Sequence, residues 1–272
     1  ISLWDVSNVT DMSSLFFDTK TFNQPIGDWN VSNVTNMSSM FYNANEFNQP
    51  IGVWDVSNVT DMHYMFNSAI KFNQPIGDWN VSNVVNMQEM FYRAYELNQP
   101  ISKWDVLSVT DMDHMFYCAK KFNQPINDWN VSNVKTMEGM FFGASIFNQA
   151  IGDWDVSNVT DMYGMFKGTL GLGSNSFNQP IGNWNVSNVT NMESMFKLSL
   201  YNQPLDTWIV SNVTNMESMF RSSIYNQPLD TWIVSNVTNM ESMFANSIYN
   251  HPLNTWDVLN VTNMMNMFKS AK

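Results

Sequence analysis

A single cysteine, Cys118, stands among 272 residues, so the chain has no internal disulfide framework and no CxxC pair to hold zinc. Basic residues are scarce too: 12 Lys and Arg against 24 Asp and Glu leave a net charge of −12. Nucleic acids and anionic bilayers are recognised by basic stripes that release counterions, and without such a stripe neither is expected as the main partner. No run approaches the ~20 apolar residues of a spanning helix, so membrane insertion by this segment is excluded. A charged region followed by an apolar one, the mark of a signal peptide, is missing at the N-terminus. The chain starts at Ile1 and stops at Lys272, each in mid-repeat. A stack cut there exposes core unless polar caps cover it, and the expectation is a segment of a longer protein.

What the sequence does have is one sentence said many times. Eleven tryptophans recur at 25 residues six times, then 30, then 24 three times. Eight residues after each comes Met (Met12, Met37, Met62, through Met264), and twelve after each comes Phe (Phe16, Phe41, Phe66, through Phe268). Such a period marks a stack of units that each contact only their neighbours, and residues 1–272 read as one repeat array.

Met, Met, Phe and a small residue, as in Met37, Met40, Phe41 and Ala44, form the i, i+3, i+4, i+7 stripe of a short amphipathic helix. A threonine precedes the stripe in nine repeats, and Thr190/Glu193, Thr214/Glu217 and Thr238/Glu241 fit the capping box. Val85 and Lys135 break that column, so those two helices are expected to fray. Upstream, WNVSNV reads as a short strand with Trp and Val inward. Pro25, Pro50 and Pro75 preset a corner rather than a central strand. The predicted class is therefore an α/β solenoid, a leucine-rich-repeat-like stack of eleven 24–25-residue coils, with a short parallel strand and a short helix in each. Its core is expected to hold Trp29, Trp54, Trp79, Trp104, Trp129 and Trp154 with Met37, Met62, Phe41 and Phe66. Asn23, Asn48, Asn73, Asn98 and Asn123, one per corner, are expected to form an asparagine ladder.

The string W-D-V-S-N-V-T-D-M-x-x-M-F closed by F-N-Q-P-I resembles the bacterial surface protein 26-residue repeat, a leucine-rich-repeat-like family that includes BspA-like and mycoplasma lipoprotein-like proteins. The resemblance covers nearly the whole chain and departs in repeat length. It implies an array secreted or displayed on a cell or virion surface, acting in adhesion or protein binding.

Catalysis needs unlike groups converging at one point, whereas an array repeats like groups along a line. His63, His114 and His251 fall in different repeats, Cys118 lies four residues from His114, and no catalytic residue, metal site or cofactor is assigned. Asp and Asn alternate after the tryptophans (Asp5, Asn30, Asp55, Asn80) and again at Asp11, Asn36, Asp61 and Asn86, which spaces charge, because stacked carboxylates repel. Acceptor triplets such as those at Asn8, Asn30, Asn33, Asn58, Asn158 and Asn188 coincide with the repeat motif and read first as structural. Two departures from the pattern stand out. Residues 167–176 add a glycine-rich loop between coils seven and eight. Ile209 and Ile233 replace the Asp or Asn after tryptophan beside Thr207 and Thr231, a small apolar spot that is the candidate partner contact.

The expectation is a non-enzymatic surface or extracellular repeat protein that binds a protein or glycan on another surface through its outer faces. The competing reading is an architectural stalk, fibre or virion component that self-associates, with the array as spacer.

Overall fold

The computed structural model describes residues 1–171 and 173–272. Among these none is helical and none belongs to an extended strand; successive coils meet at isolated parallel bridges in the row Asp11, Asn36, Asp61, Asn86 and onward to Asn263. The α/β class, with its leucine-rich-repeat-like strand and helix per coil, is therefore wrong for this chain. What remains is a stack of coils built from turns.

The reason lies in where the amides point. An α-helix sends every N–H four residues back within its own segment. Here Met37, Ser39, Phe41 and Asn43 donate forward to the carbonyls of Asp61, His63, Met65 and Asn67 in the next coil. The residues between them, Met40, Tyr42 and Ala44, donate to Met37, Ser39 and Phe41, closing successive tight turns. Alternate N–H groups thus serve the neighbour and the segment itself. Sustaining that alternation requires a left-handed backbone twice per coil, at Ser39 (φ 56°) and Asn43 (φ 58°) and at their equivalents, except that coil seven keeps it only at Gly164. Met37, Met40, Phe41 and Ala44 are fully buried, as they would be on a helix.

Capping is replaced as well. Thr35 donates both its N–H (2.8 Å) and its hydroxyl (3.2 Å) to the Thr10 carbonyl of the preceding coil. Glu193, Glu217 and Glu241 close no capping box; each accepts from Asn215, Asn239 or Asn263 one coil on, at 3.0, 3.0 and 2.9 Å. At Val85 and Lys135 the backbone N–H still reaches the preceding coil, at 2.9 and 3.0 Å, so the expected fraying has no counterpart. WNVSNV is no strand either. Trp29 N–H closes a turn on Ile26 and Val34 N–H another on Val31, while Asn30 Oδ1 accepts from Ser32 N–H at 3.1 Å. Asp5, Asp55 and Asp155 do the same with Ser7, Ser57 and Ser157. Both side chains offer the same acceptor oxygen to an Asx-turn, so either serves.

The core is a set of ring columns. Trp104 and Trp129 lie parallel with centroids 6.3 Å apart, and Phe41 and Phe66 at 5.4 Å. Trp29, Trp54, Trp79, Trp104, Trp129 and Trp154 are buried, and Met62 and Phe66 are inaccessible. Each indole N–H from Trp29 to Trp256 donates to a carbonyl of the preceding coil, as Trp104 does to Ile76 at 3.0 Å, which removes the one polar cost of burying the ring. At the corner, the Oδ1 of Asn23, Asn48, Asn73 and Asn98 accepts from the backbone N–H of the next coil's asparagine at 2.9–3.0 Å, and Asn123 does so for Asn148. In the 24-residue coils Tyr201, Tyr225 and Tyr249 occupy the second Phe column with buried hydroxyls that find no partner.

Within the 167–176 loop, Leu172 lies outside the described residues. Thr169 and Gly173 exchange two backbone hydrogen bonds at 3.1 Å, and fully buried Asn175 donates to the Phe141 carbonyl at 2.8 Å.

Candidate functional site

The columns that the core and the corner require hardly change from coil to coil. The positions nine, ten, thirteen and fourteen residues after each tryptophan do change. In coils four to seven they carry Glu89, Tyr92, Asp113, His114, Tyr117, Glu138, Phe142, Tyr163 and Lys167. The turn ladder places these side chains beside the buried Met–Phe stripe, half-buried for the most part, where chemistry varies from coil to coil. An open groove of about 420 Å³ runs between them.

One wall is aromatic. Tyr92 and Tyr117 stack at 4.4 Å, as do Tyr117 and Phe142. Lys167 Nζ closes the end of this column, 4.7 Å from the Phe142 centroid and 5.4 Å from that of Tyr163, and the Arg93 guanidinium lies 5.3 Å from Tyr92 at the other end. The opposite wall is acidic. Burial pushes the Glu89 carboxyl above its ordinary range, against the hydrogen bond it accepts from Asn67 Nδ2 at 2.7 Å. Burial does the same to Glu138, helped by the charges of Asp161, Glu193 and Asp111. Asp113 beneath them is pushed up to about 6 by burial, although Thr136 Oγ1 (2.5 Å) and Glu138 N–H (2.8 Å) both donate to it. His114 Nε2 stands 3.9 Å from Glu138 Oε1, and burial lowers its pKa despite Asp113 and Asp111 nearby, so the ring is neutral at pH 7 and offers Glu138 no positive charge.

The groove holds no nucleophile with an adjacent base. Cys118 is buried and its thiol is pushed up by burial, and no hydrogen bond joins it to His114 among the described residues. His63 Nδ1 rests on Asp61 Oδ1 at 2.6 Å. Among the described residues no three His, Cys, Asp or Glu side chains are grouped to hold a metal ion.

The apolar spot lies elsewhere. Ile209 and Ile233 are 60% and 64% exposed, while Thr207 and Thr231 donate their hydroxyls at 2.6 Å to the Gly182 and Asp206 carbonyls. None of the four lines the groove over coils four to seven. With isoleucine in the Asx position, Ser211 and Ser235 lose the side-chain acceptor that Ser187 has in Asn185. The sequon asparagines Asn33, Asn58, Asn158 and Asn188 spend their Nδ2 on a Ser carbonyl of the preceding coil at 2.7 Å; the Asn30 side chain accepts from Ser32 alone. Apart from His114, the sequence pattern alone does not bring the groove residues together, since on helices in separate coils they share no site. Their signal was variation itself, at four columns between invariant ones.

The family described as "Mycoplasma protein of unknown function, DUF285" matches this chain three times, over residues 1–98, 74–175 and 172–272. No curated protein and no solved structure matches it. Among the described residues no helix is long and apolar enough to cross a membrane.

Proposed function

This chain belongs to the Mycoplasma family of unknown function DUF285, and we propose that its stack is a non-enzymatic binding scaffold which engages a protein or glycan through the varied outer face of its coils. The finer resemblance, to BspA-like bacterial surface repeats, supports display at the cell surface or outside the cell and a role in adhesion. One observation carries the reading. Chemistry is diversified at the columns nine, ten, thirteen and fourteen residues after tryptophan, and over coils four to seven these columns line a groove with unlike walls. A pure spacer has no need of a groove whose two walls differ in chemistry.

The test is a substitution that the stack itself already tolerates. Serine occupies the same columns at Ser14, Ser38 and Ser39, so Glu89→Ser, His114→Ser and Glu138→Ser together leave the ladder intact. The chain is screened on protein and glycan arrays, and the strongest ligands are then titrated against the triple variant. Loss of binding with an unchanged melting temperature supports the scaffold reading. Unaltered binding, or an array without ligands, favours the architectural one.

A further inference from the structure

We propose that the groove over coils four to seven is a docking site for a basic segment of a partner protein, whose lysine or arginine head groups sit against Glu89 and Glu138 while their stems lie along the Tyr92–Tyr117–Phe142 wall. This deepens the binding reading above and rests on it.

The first argument is charge. In nearby coils some carboxylates are matched by a lysine one coil on: Glu46 pairs with Lys71, Asp78 with Lys103 at 2.8 Å, and Glu96 with Lys121 at 2.5 Å. Among the described residues no lysine or arginine forms such a pair with Glu89 or Glu138, and the one nearby ring, His114, is held neutral by burial. Half-buried carboxylates without a counter-charge raise the cost of the folded state. An arriving cation removes part of that cost, which is complementarity of the kind that steers and selects partners.

The second argument concerns what the rings can accept. At 4.4 Å each ring covers its neighbour's face, so the column offers no open platform on which a sugar could stack. Its two ends are the exceptions, and both are already taken by cations of this chain, Lys167 and Arg93. Stacking leaves the ring perimeters as the uncovered part of the column, an apolar wall for an aliphatic stem, with the Tyr92 and Tyr117 hydroxyls as acceptors for its N–H groups.

Spacing is the third. Glu89 and Glu138 stand two coils apart, ~10 Å at the usual spacing of paired backbones, which an extended peptide spans in about three residues. Two basic residues separated by one to three others reach both carboxylates.

The experiment uses the full 272-residue chain and a short fluorescein-labelled peptide in which glycine alternates with arginine and lysine, followed by anisotropy at low and physiological salt. The double variant Glu89→Gln/Glu138→Gln is expected to weaken binding about tenfold or more, the scale on which lost charge pairs are felt. Glu217→Gln/Glu241→Gln, which removes the same charge in later coils, should change it less than about twofold. A peptide with citrulline and acetyl-lysine should not bind. Equal weakening by both double variants would mean diffuse attraction to an acidic chain and would overturn the proposal, as would undiminished binding by the first. If the basic peptide fails on the unaltered chain while an array ligand still depends on Glu89, His114 and Glu138, the cationic partner falls and the binding reading stands; if those three substitutions change nothing on the array, both fall.

Discussion

Asp113 and Tyr225 show how single side chains trade against the stack. Asp113 binds its proton more tightly folded than unfolded, because burial lifts its pKa to about 6 from an ordinary carboxylate value. Its contribution to stability is therefore greatest below about pH 4 and is withdrawn as pH rises through about 6. Asparagine keeps the acceptor for Thr136 and Glu138 N–H but carries no charge, so Asp113→Asn should stabilise the fold near neutrality. Two pKa units correspond to ~3 kcal/mol; with the carboxyl still partly solvated, ~1–2 kcal/mol is expected. Denaturant titrations at pH 7.5 and pH 3.5 should show that gain at the first and none at the second. The opposite shifts at Asp5, Asp11, Asp55 and Asp155 come from hydrogen bonds with serines two residues on, so their Asx-turns weaken in acid instead. Tyr225 carries an unpaired buried hydroxyl in a column that the longer coils fill with phenylalanine, except for Leu97. An unsatisfied buried group costs ~1–3 kcal/mol, and removing it from Tyr225→Phe should raise stability by about 1 kcal/mol in the same titration. A loss of that size would mean that the hydroxyl is bonded after all, to the Leu205 carbonyl beside it.

At the scale of the element, the unit is a turn ladder whose left-handed residues decide whether it forms. Ser222 sits at φ 57°, a region that glycine enters freely and a β-branched side chain resists. Ser222→Gly is expected to stabilise by up to ~1 kcal/mol and Ser222→Val to destabilise by ~1–2 kcal/mol. In a helix the ranking would invert, since glycine is the poorer helix former there, so thermal melts of the two variants distinguish ladder from helix without a crystal. The same residue explains what could be read in advance. The buried columns of Trp, Met and Phe, the coil length and the corner were legible, because burial leaves a period in the sequence whatever backbone carries it. The helix was not, because Met37, Met40, Phe41 and Ala44 present one stripe on a helix and on a turn ladder alike. What separates the two is the acceptor for alternate amides, which belongs to a residue 24 positions away, as Asp61 is from Met37. The left-handed positions gave a partial hint through Ser14, Ser39, Gly139, Gly143 and Ser218, but Tyr64, Arg93 and Leu198 occupy them too, and that obscured it. The groove escaped notice for a related reason: its residues touch across coils, and no window within one repeat contains Glu89 and Glu138 together.

For the molecule as a whole, every bond that defines the stack runs between neighbouring coils, so stability should behave as a sum over identical steps with no privileged centre. Residues 201–220 and 225–244 are identical, which makes a clean excision possible. Removing residues 209–232 joins Trp208 to Ile233 in register and leaves ten coils, with the Trp and Asn ladders continuous. That variant should fold, shorten by about 4.8 Å along the stack, and lose roughly one eleventh of its denaturant m-value, which follows the surface buried. Removing residues 209–220 alone deletes half a coil, leaves the Trp208 and Trp232 rings out of register, and strands the N–H groups of Met192, Ser194 and Phe196, which donate to the Asn215, Glu217 and Met219 carbonyls. This second variant should lose cooperative unfolding. Small-angle scattering and equilibrium denaturation on the pair decide the matter: if both deletions unfold alike, stability depends on the stack as one indivisible core, and the additive picture fails.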